Sequence, residues 1–132
     1  MEKTKMSPDL TVFMIGDRKF EMNEMKIKRM KELSHLIFIS QKEIRDRYSN
    51  REPQETLVDD DLAYLSQKVV DILNFLLTSD SPINLEFYEA NLSYREIEEI
   101  VKEAIEQSRV RWLRPFFDPF FQIIETTLPT KT

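Results

Sequence analysis

The stretch Asp59-Asp-Asp-Leu-Ala-Tyr-Leu-Ser-Gln-Lys-Val-Val-Asp-Ile-Leu-Asn-Phe-Leu-Leu77 decides the fold. Leu62, Leu65, Val69, Ile72, Leu73, Phe75, Leu76 and Leu77 make a broad apolar stripe at helical spacing. Its second half is apolar nearly all round, which marks a helix surrounded by the rest of the chain. Three aspartates open it, where a helix N-terminus favours negative charge and a capping oxygen. The spacing predicts a helix over residues 60–78, stopped by Thr78-Ser-Asp-Ser-Pro82.

Upstream, Met25, Ile27, Met30, Leu33, Leu36, Ile37, Ile39 and Ile44 recur at steps of three and four. They predict an amphipathic helix over residues 24–48, capped by Asn23. Its other face carries Lys26, Lys28, Arg29, Lys31 and Lys42. Residues 49–56, with Asn50 and Pro53, read as a loop. Earlier still, two apolar runs, residues 11–15 and 20–22, flank a Gly16-Asp17 turn. That is a β-hairpin pattern, and a lone hairpin needs a helix to pack on. Residues 1–10 read as a flexible leader with no apolar core of a secretory signal.

Downstream, Asn84 caps a short helix through Tyr88, and Ser93-Tyr-Arg-Glu96 matches a capping box. The helix it opens sends Tyr94, Ile97, Ile100, Val101, Ala104 and Ile105 inward. Glu98, Glu99, Lys102, Glu103 and Glu106 are expected outward. The expected fold is therefore a small, mainly α domain, residues 11–111, with an N-terminal hairpin packed on its helices. Residues 112–132 form an aromatic and proline-rich tail.

Composition narrows the chemistry. There is no cysteine, so disulfides, thiolate metal sites and thiol nucleophiles are excluded. One glycine cannot supply a phosphate-cradling loop. The net charge of −5 offers no basic field for nucleic acid. Charge is uneven: residues 57–107 hold twelve acids and three bases, while the flanks are slightly basic. The apolar runs are too short to span a bilayer, and a cytoplasmic location is expected.

His35 is the only histidine, and Glu32 and Ile39 at its helical neighbours make a poor metal site. Asp59 to Asp61 lack the spacing and glycine of a calcium loop, so helix capping is the better reading. Glu98 and Glu99, adjacent on a helix, point apart and suit a solvated face rather than acid–base work. No catalytic residue, cofactor or metal site is expected, and the chain is read as no enzyme. The candidate binding residues are Trp112, Phe116, Phe117, Phe120 and Phe121 of the tail. Aromatics carry much interface energy; the same residues could equally complete the domain's own core. Met14, Met22, Met25 and Met30 are read mainly as core fillers.

The order of parts resembles a known family. The hairpin with Phe13, Gly16, Lys19 and Phe20 leads into the basic helix Met25 to Ile39. The central helix Val69 to Leu77 follows, then the Leu-Ser-capped helix of residues 91–101. Over residues 11–108 this is similar to the small tail assembly chaperones of long-tailed bacteriophages; the tail from Trp112 matches no part of that pattern. The resemblance implies a non-enzymatic assembly factor in the host cytoplasm. It would bind the tape-measure protein, keep it soluble and recruit tail-tube subunits, and in that family a longer frameshifted form is often made; a homo-oligomer of this chain is a further expectation. Such a role calls for an apolar groove with a charged rim, which the acidic middle would supply. The alternative is a permanent structural or adaptor subunit of a virion or other assembly, docking through its aromatic tail.

Overall fold

A computed structural model describes residues 1–49 and 59–108 together with Asp118 and Phe121. Seven elements follow one another in the chain: β1 (Glu2–Ser7), β2 (Leu10–Ile15), β3 (Arg18–Asn23), α1 (Ile27–Tyr48), α2 (Asp59–Leu76), α3 (Leu85–Asn91) and α4 (Tyr94–Ser108). The three strands form one antiparallel sheet in the order β1-β2-β3, packed on the helices. The domain is mainly α, as the helical spacing requires.

Residues 1–10 do more than lead in. Glu2 to Ser7 pair with β2, Lys3 opposite Phe13 and Lys5 opposite Thr11, with a bulge between Lys5 and Ser7. All six β1 side chains are exposed, so no apolar alternation betrays the strand. What holds it is the backbone ladder and the two lysines, which share the inward face of the sheet with Thr11 and Phe13.

The hairpin lies where residues 11–22 place it. Phe13 pairs with Phe20 and Ile15 with Arg18 across the Gly16-Asp17 turn. Gly16 has a φ of +61°, and a Cβ there would meet Asn91 Oδ1 at 2.8 Å. Both the backbone conformation and the close approach therefore favour glycine. Phe13, Ile15, Phe20 and Met22 are buried against the helices, as alternation predicts. Arg18 closes the rim. Its guanidinium sits 4.9 Å from the Phe20 ring centre and 4.6 Å from that of Phe87, and it donates to Ser79 Oγ and Ser81 O. Thr78 pairs with Glu21 through two 2.8 Å backbone bonds, covering β3's outer edge at one point.

α2 is the central element: Val69, Val70, Ile72, Leu73 and Leu76 are all buried. Contacts at both ends show α1 running antiparallel to it. At one end Tyr48 Oη donates to Asp61 Oδ1 (3.2 Å) and Lys68 pairs with Glu43 (3.0 Å). At the other, Arg29 stacks on Phe75 (3.7 Å) and donates to its carbonyl (2.9 Å). The three aspartates lie in the first turn of α2, but Asp61 is only 2% exposed and ties down α1 as well. The N-cap of α1 is Lys26, with no side-chain cap, rather than Asn23. Asn84 caps α3, accepting from Phe87 N at 2.7 Å. The Ser93–Glu96 capping box forms at α4, with Ser93 N donating to Glu96 Oε1 (3.0 Å) and Glu96 N to Ser93 Oγ (3.4 Å).

Candidate functional site

α4 presents two different faces. Ile97, Ile100, Val101 and Ala104 enter the core. The surprise is Glu103, expected outward and only 1% exposed. At about 100° per residue it lies some 60° from Ile100, and Gln107 some 20°, so both flank the apolar stripe where the sheet closes over it. Thr11 Oγ1 donates to its carboxylate at 2.7 Å, Lys5 Nζ at 3.0 Å and Lys3 Nζ at 3.3 Å. Gln107 Nε2 extends the cluster to Thr11 Oγ1 (2.8 Å) and the Met22 carbonyl (3.3 Å).

Burial pushes the Glu103 carboxyl up, but the hydrogen bonds from Thr11, Lys5 and Lys3 outweigh it and hold it below its ordinary 4.5. A buried carboxylate supplied with three donors acts as a fixed anion that clamps the N-terminal strand to α4. Only the tertiary arrangement brings residues nearly a hundred positions apart together. The amphipathic flank position of Glu103 and Gln107 was the sole sequence signal for it.

The outer side of α4 carries a groove of about 450 Å³. Ile105 and Phe121 supply its apolar surface above the buried Val101, and Glu98, Glu106 and Asp118 an acidic rim, with Lys102 the lone base of the lining. Lys102 lies 3.8 Å from Glu98. Phe121 is half-buried, its ring centre 5.9 Å from that of Tyr94. Of the tail aromatics, Phe121 is thereby placed against the domain's own α4. Trp112, Phe116, Phe117 and Phe120 lie outside the described residues, as does any path between Ser108 and Asp118.

The remaining candidates are dispersed. His35 is exposed on α1, and Glu99 is exposed beside half-buried Glu98. Among the described residues no three of His, Cys, Asp or Glu are grouped to hold a metal ion, and no helix is long and apolar enough to cross a membrane. Met22 and Met30 are buried core residues, whereas Met14 lies on the sheet's outer face.

α1 departs from its expected face. Met30, Leu33 and Ile37 are buried with Ser40, but Ile27 and Ile39, read from their spacing as core residues, are exposed. Ile39 lies about 200° round the helix from Ile37, so the two cannot share one face. Phe38 is 57% exposed beside them.

No known protein-family model, curated protein or solved structure matches this chain.

Proposed function

We propose that this chain is a non-catalytic, protein-binding assembly chaperone of the kind that serves phage tail assembly. In this reading its clients are the tape-measure protein and tail-tube subunits. The reading rests on the resemblance over residues 11–108, and one observation carries it further: the groove beside α4. Its apolar surface of Ile105 and Phe121 suits one face of an amphipathic segment, and its acidic rim suits a basic flank. The same rim keeps an open apolar surface in solution between clients.

Co-expression with the proteins encoded beside this chain tests it. The expected result is a long helical partner that becomes soluble only in its company, with the chain absent from the finished particle. Truncation after Arg111, which removes Phe121 from the groove, is expected to weaken capture while leaving a cooperative melt. If no partner is rescued and the chain is instead retained in the assembled particle, it is a structural or adaptor subunit and the chaperone reading fails.

A further inference from the structure

α1 holds a second surface, distinct from the α4 groove in position and sign of charge. On a helix advancing about 100° per residue, Ile27, Lys31, Lys42 and Arg45 all fall within about 40° of Phe38. Ile27 is 70% exposed and Phe38 57%, and all three bases are exposed. The stripe runs about 27 Å along the helix. Apart from Met6 and Met14 on the sheet side, every large exposed apolar side chain among the described residues lies on α1.

Charge says what would cover this stripe. Between Ile27 and Tyr48 there are six bases and three acids. Glu32 is engaged by Arg29 at 3.6 Å and Glu43 by Lys68 at 3.0 Å. Lys28, Lys31, Lys42 and Arg45 have no ion-pair partner among the described residues. Asp46 is the one acid left to offset them. Two copies meeting through this face would set lysine against lysine. An anionic bilayer would attract the stripe, but two apolar side chains, Ile27 and Phe38, are a thin anchor. The chain's overall charge of −5, with −9 over residues 57–107, would also be driven toward the same surface. A slender helix contacts only the local field, because charges beyond about 8 Å are screened at physiological salt.

We infer that the outward stripe of α1 docks an acidic amphipathic helix of a protein partner. Leucine-like residues would cover Ile27 and Phe38, and flanking carboxylates would meet Lys31, Lys42 and Arg45. This surface is independent of the α4 groove, so the chain could hold two segments of opposite charge at once.

The test uses the full chain and two synthetic helical peptides of about five turns. Both carry the same leucine stripe, one flanked by glutamates and the other by lysines. Anisotropy titration is expected to show binding of the glutamate peptide only, weakening as salt rises. Phe38→Ser, and separately Lys31→Glu with Lys42→Glu, should each weaken it at least about tenfold. All three positions are exposed, so the variants should melt as the parent does.

Truncation after Arg111 should leave this binding intact, which separates the inference from the fate of the groove. Failure of both peptides, equal binding of both, or indifference to Phe38→Ser overturns it. Two further outcomes also overturn it. Phosphatidylglycerol vesicles bound through Phe38 would mean a lipid surface, and self-association abolished by Phe38→Ser would mean a second copy.

Discussion

α1 and α4 are both amphipathic, and they break the pattern in opposite directions. α4 takes a carboxylate inward: Glu103 is buried because Thr11, Lys5 and Lys3 arrive to bond it. α1 leaves apolar side chains outward: Ile27, Phe38 and Ile39 stand in solvent although the same helix buries Leu33 and Ile37. The first departure is answered within the chain, since every donor to Glu103 belongs to the sheet. The second has no such answer among the described residues. A buried charge without partners would be costly, whereas a few exposed apolar groups cost little and are tolerated. The departure that would be expensive is therefore the one the fold satisfies, and the inexpensive one is left for a partner.

This contrast can be broken experimentally, most sharply at neighbouring positions of α1. Ile37 is 1% exposed, and Ile37→Ala is expected to cost about 3 kcal/mol of unfolding free energy through lost burial and a residual cavity. Urea denaturation measures it. A cost below about 1 kcal/mol would mean that α1 is not anchored through that face.

Glu103→Ala comes next, at about 2 kcal/mol, because it removes the acceptor of the buried Thr11 hydroxyl proton and the anion facing Lys3 and Lys5. The figure is set below that of a fully buried pair because both lysines are nearly half-exposed. Glu106→Ala, on the outer side of the same helix, should change stability by less than about 0.5 kcal/mol. Equal losses at the two positions would remove the distinction between the faces of α4.

Acid supplies a gentler version of the same experiment. With its folded pKa below 4.5, the Glu103 carboxylate contributes stability that is fully present above that value. The contribution is lost as pH falls through the lower, folded pKa. Melts of the parent should therefore drop more steeply below pH 4.5 than those of Glu103→Gln, which cannot titrate there.

The smallest expected effect completes the comparison. Phe38→Ser should shift stability by less than about 0.5 kcal/mol, although it deletes a large apolar side chain one residue from Ile37. A loss like that of Ile37→Ala would show Phe38 to be covered by the chain itself, and the partner surface on α1 would not exist.

Much of the architecture was legible in order and kind. The apolar stripe of residues 62–77, the Gly16-Asp17 turn, the Asn84 cap and the Ser93–Glu96 box are local signals. Each depends on residues within a few positions of one another, and local chemistry is what a sequence displays directly. The candidate sites were legible only in part. Phe121 stands out in the sequence for its aromatic ring, yet nothing in its neighbourhood announces Tyr94 as its contact. Glu103 looked like one more acid on a charged helix face.

By itself, then, the sequence determined which segments are helices, where the hairpin turns and which chemistries lack their residues. Those outcomes follow from periodicity, capping and composition, which need no knowledge of neighbours. The tertiary structure alone decided that residues 2–7 form a strand, that Glu103 is buried and that Phe38 is not. Each of those outcomes depends on what lies opposite. β1 is a strand because β2 offers a free edge, and Glu103 is inside because two lysines and a threonine from the sheet reach it. Phe38 is outside because α1 has one face more than the domain can cover.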